Sequence, residues 1–155
     1  LRNVTGLSEE QIEQAKAMWD FITQVDESEE NHFEISVLNL LNVQLDTSSA
    51  HIDNSTTAFL EATNTVRLGA DAYPTTGNSI SANDILSPLA CLCHEYAHAV
   101  RYHIGFRRPF SGALMHLDEA ETSIHASYEA CLYPMDRERL VEDALERISN
   151  WKNEI

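Results

Sequence analysis

Cys91-Leu92-Cys93-His94-Glu95-Tyr96-Ala97-His98-Ala99-Val100 is the stretch that organises this 155-residue chain. Residues four apart on an α-helix stand one above the other on the same face, so His94 and His98 can offer imidazole nitrogens to one metal ion. Glu95, beside them, can reach a water at that ion as general base, which is what His-Glu-x-x-His supplies in metal hydrolases. The bland alternative is a solvated helix whose histidines happen to fall four apart. Ser87-Pro88 predicts the start of the helix, with Ser at the N-cap and Pro at the first helical position, and Gly105 predicts its stop. Leu89, Leu92, Ala99 and Val100 call for burial of much of this helix. Unpaired imidazoles on a buried helix are costly, which favours a ligand role for both.

A catalytic zinc site takes three protein ligands and a water. Downstream of the motif stand His103, His116, Glu119, Glu121 and His125. A third His in the extended pattern would require Gly at position 101 and His at position 104, where this chain has Arg101 and Ile104. His103 is one residue off that register. Residues 106–117 read as a loop containing Arg107, Arg108, Pro109 and Gly112. Asp118 then predicts the N-cap of a helix that runs to about Cys131 and ends before Pro134. Asp136 is the expected cap of a last helix, with Leu140, Ala144, Ile148 and Trp151 as its apolar stripe and Val141 and Leu145 alongside.

Upstream, Ser8-Glu9-Glu10-Gln11 is a capping box, followed by Ile12, Ala15, Trp19 and Ile22 at helical spacing. The acidic run Asp26 to Glu30 is expected to end that helix. Residues 33–45 read as a strand that becomes irregular, and residues 46–56 as a loop. Thr57 to Ala62 and Thr65 to Tyr73 read as two strands around a Thr63-Asn64 turn, with Pro74 to Asn83 as a turn-rich connector.

His94-Glu95-Tyr96-Ala97-His98-Ala99-Val100, followed by Asp118-Glu119-Ala120, resembles the gluzincin metallopeptidases. In that family the third ligand is a Glu in an Asn/Asp-Glu-Ala-type segment downstream, which implies Glu119. Glu119-Ala120-Glu121-Thr122 through Leu132-Tyr133-Pro134 is similar to the small gluzincins that cleave phage-type repressors. Their ligand helix reads Glu-x-Glu-Ala-x-x-x-Ala and ends in Leu-Met-Pro. This chain departs from that pattern with Thr122 in place of Ala and extra residues before Pro134. The likeness spans roughly residues 57–134. Glu121 is the alternative ligand; two residues apart on one helix, Glu119 and Glu121 cannot both face the metal. The resemblance also puts Ser123 where a polar residue orients a ligand His. On that resemblance the strand Thr65–Ala70 is either the edge strand of the cleft, along which an extended peptide pairs, or an ordinary core strand. Tyr102, His116, His125 and Tyr128 are candidates to stabilise an oxyanion. Cys91, one turn before His94, reads as a small buried hydrophobe. Arg107 and Arg108 are candidates to grip an acidic substrate or a peptide C-terminus.

The formal net charge of -15 argues against partnership with nucleic acid or an anionic membrane surface. No run approaches the roughly 20 apolar residues of a membrane span. Three cysteines are not a disulfide framework and favour a reducing cytoplasm. Asn3-Val4-Thr5 and Asn54-Ser55-Thr56 match the glycosylation acceptor, which matters only for a secreted eukaryotic protein. The start at Leu1 is what a domain excised from a larger chain would show, and further domains of that chain are then partners.

The expectation is thus one α+β, zincin-like metallopeptidase domain over residues 1–155, its helices packed on a small sheet and its zinc helix central. Zn²⁺ held by His94, His98 and Glu119, with Glu95 as general base, would hydrolyse a protein or peptide substrate. The alternatives are a non-catalytic zincin-fold sensor or binding module, one domain of a larger effector, or a structural zinc closed by Cys91 or His116.

Overall fold

The computed structural model describes residues 1–25, 41–75, 81–109 and 112–155. Helix α1 spans Glu9–Val25. The capping box is formed: Ser8 N–H donates to Gln11 Oε1 at 2.9 Å, and Gln11 N–H to Ser8 Oγ at 3.2 Å. Ile12, Ala15, Trp19 and Ile22 are buried as one face. The Asp26 to Glu30 run lies outside the described residues.

Of the strand expected over residues 33–45, only 41–45 are described: Leu41 is helical and strand geometry begins at Gln44. Strands β1 (Gln44–Asp46), β2 (Ala58–Leu60) and β3 (Thr65–Arg67) form a mixed sheet in the order β1-β3-β2. β3 pairs parallel to β1 and antiparallel to β2, with Val66 opposite both Leu45 and Phe59. Asn64, at φ 52°, turns the β2–β3 hairpin, a conformation Asn tolerates better than most residues. The second strand is shorter than expected because the chain leaves the sheet after Arg67. At Gly69 it passes so close to residues 55–56 that a Cβ would sit 2.4 Å from the Thr56 carbonyl carbon. It then enters a short 3-10 turn, Ala70–Ala72, and a second one follows at Asn83–Ile85. Residues 76–80 of the expected connector lie outside the described residues.

Helix α2 spans Pro88–His103, with Ser87 Oγ accepting from Ala90 N–H at 3.1 Å. Its end is a Schellman motif: Phe106 N–H donates to Arg101 O and Gly105 N–H to Tyr102 O, with Gly105 at φ 110°. Both expected boundaries hold. The helix is buried on several sides, packing on α1, β2 and the helices that follow. Trp19 of α1 meets Tyr96 edge-to-face at 5.5 Å.

Helix α3 spans Leu114–Ala126 and helix α4 Pro134–Glu154. Pairs His116–Glu154, Ser123–Asp143 and Ser127–Arg137 progress in opposite senses along the two helices, so they form an antiparallel hairpin. Three expectations are corrected here. Asp118 is not an N-cap; α3 begins one turn earlier, and Asp118 is buried mid-helix, 3.2 Å from Arg101 Nη2. α3 ends at Ala126 rather than near Cys131, because Ser127 Oγ donates back to Ile124 O and Arg137 takes the carbonyls of Ser127 and Glu129. Asp136 does not cap α4: Tyr133 is the N-cap residue, and Asp136 accepts from Ser87 Oγ at 2.6 Å, tying the starts of α2 and α4 together.

Along α4, Leu140 and Ala144 are buried, but Val141 and Leu145 face solvent, Leu145 at 61% exposure. The core joins α1, the sheet, α2 and α4 through Trp19, Ile22, Val66, Leu92 and Leu140. Each such side chain contributes roughly 1.5–3 kcal/mol by burial. The architecture is α+β: helices with one small mixed sheet, and α2 in the middle. Among the described residues no helix is long and apolar enough to cross a membrane.

Candidate metal centre

The α2 face carrying His94 and His98 looks onto α3. One turn apart, the two imidazoles meet edge-to-face, with centroids 4.8 Å apart. Glu119 of α3 places Oε2 between them, 2.9 Å from His94 Nε2 and 3.2 Å from His98 Nε2. The donor atoms of the three residues lie within 4.8 Å of one another.

Hydroxyl groups decide what these imidazoles offer. Ser123 Oγ donates to Asp143 Oδ2 at 2.6 Å, so it accepts from His94 Nδ1–H at 2.9 Å. Thr122 Oγ1 donates to the Asp118 carbonyl at 2.7 Å, so it accepts from His98 Nδ1–H at 3.4 Å. A hydroxyl has one proton to give, and both are given away from the histidines. The proton of each ring is thereby held on Nδ1, and each Nε2 lone pair points at Glu119. Two such lone pairs and a carboxylate oxygen at hydrogen-bond distance repel unless a cation, proton or metal ion, lies between them. An N, N, O donor set of this kind suits zinc.

The titration of the site carries the same sign. Where a proton rather than a metal fills that place, burial works against the Glu119 charge, but the hydrogen bonds of His94 and His98 outweigh it and hold Glu119 well below the usual carboxylate range. Burial pushes the His94 imidazole down; the Glu119 hydrogen bond and the charges of Glu95 and Glu119 overcome it and raise His94 above its ordinary value. Arg108 binds Glu119 Oε1 through Nη2 and stands 3.3 Å from Asp118 Oδ2 through Nε.

Glu95 stands at a cavity of about 230 Å³ that is also lined by Cys91, His94, Glu119, Arg2 and Arg147. Its Oε2 accepts from Phe59 N–H of β2 at 3.0 Å. The strand beside the site is therefore β2. Of the two readings of Thr65–Ala70, the edge strand is corrected and the core strand holds: β3 is central because β1 covers its other side.

The remaining candidates go elsewhere. Glu121 is 62% exposed and its side chain bonds Arg101 at 2.9 Å, so it does not join the two histidines. His103 bonds Asn64 and His116 bonds Glu154, each at 2.7 Å. Tyr102 packs on Phe59, with Arg107 over its ring, and Tyr128 is 80% exposed. His125 is not among the residues lining the cavity. Arg107 donates to the carbonyls of Tyr102 and Phe106. Cys91 lines the cavity but packs on the core, and burial pushes its thiol up to about 12. Neither Cys91 nor His116 belongs to the converging group. The Cys93 and Cys131 thiols lie 3.8 Å apart.

Sequence reading missed Thr122, Asp143 and Arg147. Thr122 stood out only as a departure from a family pattern. Asp143 and Arg147 are four apart on α4, a spacing that marks an ion pair on any helix surface. No family model, curated protein or solved structure matches this chain.

Proposed function

We propose that this chain is a zinc-dependent endopeptidase of the gluzincin kind, acting on a particular protein substrate, with His94, His98 and Glu119 as the metal ligands. The observation that carries the reading is the convergence of three acceptor atoms, with both ring tautomers set by hydroxyls, next to the carboxylate of Glu95. Zinc, once bound, supplies Lewis acidity and makes a coordinated water more acidic. Glu95 takes the proton of the attacking water and passes it to the leaving amine. The Phe59 N–H holds the Glu95 carboxylate at the cavity wall, where the reaction needs it. β2, at the sheet edge beside Glu95, is where an extended substrate backbone pairs. A cavity of about 230 Å³ accommodates a side chain rather than a large ligand, in keeping with a peptide lying across the site.

The test compares wild type with Glu95→Gln for zinc content and, in cells, for new protein termini. Both proteins should bind zinc, and only wild type should generate cleavage termini, since loss of a general base costs about 10²–10⁴ in rate. Normal cleavage by Glu95→Gln, or zinc retained in full by His94→Ala, contradicts the reading.

A further inference from the structure

Two guanidinium groups reach the cavity beside Glu95, and they differ in what they have left to give. Arg2 is consumed by backbone carbonyls: Nε by Asp71, Nη2 by Ala72 and Nη1 by Leu86, at 2.7–2.8 Å. Arg147 spends only Nε, on Asp143 Oδ2 at 2.7 Å. Its Nη1 is 3.6 Å from Glu119 Oε2, an ion pair too long for a hydrogen bond. Among the described residues neither Nη nitrogen has a hydrogen-bond acceptor, although the side chain is only 22% exposed. Donors placed this way favour an anionic oxygen in the cavity.

We propose that Arg147 binds the carbonyl oxygen at the reacting carbon of the substrate and stabilises the negative charge that develops on it. This assignment rests on the peptidase reading above. As water oxygen adds to the carbonyl carbon, the C=O electron pair moves onto the oxygen facing Arg147, and Glu95 takes the water proton. When the C–N bond breaks, that pair returns to re-form the carbonyl, and the amine takes the proton from Glu95. Arg147 is suited to this role because a guanidinium presents its N–H donors in a rigid planar fork and because Asp143, four residues earlier on α4, braces it before substrate arrives. Tyr102, His116, His125 and Tyr128 do not line this cavity.

The experiment measures inorganic phosphate, a tetrahedral oxyanion, binding to the zinc-loaded protein, with zinc affinity measured separately by chelator competition. Arg147→Gln should weaken phosphate binding by about 10-fold or more, as expected for loss of a charged hydrogen bond. Arg147→Lys should keep part of it, and zinc affinity should change by no more than about threefold, since Arg147 hydrogen-bonds no ligand and its ion pair with Glu119 is long, at 3.6 Å. Unchanged phosphate affinity in Arg147→Gln overturns the proposal. So does a loss that only tracks lost zinc, which would make Arg147 a brace for Asp143, or failure of zinc-loaded wild type to bind phosphate. If wild type takes up no zinc, the peptidase reading itself fails, and the assignment of Arg147 falls with it.

Discussion

The two histidines of the centre are supported by unequal chains of hydrogen bonds. Behind His94, Ser123 passes the contact to Asp143, whose carboxylate is almost fully buried and paired with Arg147. Behind His98, Thr122 passes a longer contact, 3.4 Å, to a backbone carbonyl. The first chain ends on a charge; the second ends on a neutral dipole. Charge-assisted hydrogen bonds are roughly twice as strong as neutral ones, so His94 is the more firmly oriented imidazole and His98 the more adaptable. Both helices of the hairpin are needed for the first chain, whereas α3 alone supplies the second.

The inequality can be broken from its strong end. Asp143→Ala leaves Arg147 and Ser123 without their partner, and it should cost about 3–5 kcal/mol of stability, read by denaturant unfolding. The isosteric Asp143→Asn should fold and lower zinc affinity by about 10–100-fold in a chelator competition. Ser123→Ala removes the middle link and should cost zinc affinity about 10-fold by the same measurement.

A pH series sharpens the comparison through His94 itself. Its folded value lies above the ordinary 6.5, so in chelator-treated protein its contribution to stability is full below 6.5 and is lost as pH rises through the folded value. Glu119, held low, contributes above its ordinary 4.5 and loses that contribution only in strong acid. The melting temperature of the zinc-free protein should therefore fall as pH is raised above 6.5. Zinc competes with the proton on His94, so the zinc-induced rise in melting temperature should grow over the same interval. A zinc effect that shrinks with rising pH would contradict this. The smallest effect is expected at Thr122→Val, which removes only the long contact to His98: about threefold or less in zinc affinity. A loss at Thr122→Val equal to that at Ser123→Ala would erase the distinction between the two chains.

Legibility in the sequence followed the range of the interaction. Ser8 to Gln11, Ser87-Pro88 and Gly105 mark their helix ends by contacts within a few residues, and those ends stand where the local chemistry put them. Asp118 and Asp136 carry the same local signal, yet neither caps a helix. Their carboxylates serve Arg101 and Ser87, which are distant in sequence. Val141 and Leu145 matched a helical stripe but face solvent, since periodicity does not say how wide the covered face is. Thr122 looked like an imperfect match to a helix pattern; in place it is the hydroxyl behind His98.

By itself, the sequence determined the central helix, its limits, and the side-by-side presentation of His94, Glu95 and His98, because helical geometry puts residues three to four apart on one face. It also brought Glu119 forward, by resemblance. Only the tertiary structure decided that Glu119 rather than Glu121 meets the histidines, since the turn of α3 against α2 aims one inward and hands the other to Arg101. It alone placed β2 at the site, and it alone delivered Asp143 and Arg147 from the last helix. Those contacts depend on how separate elements dock, and docking is set by the whole buried core rather than by any local stretch of chain.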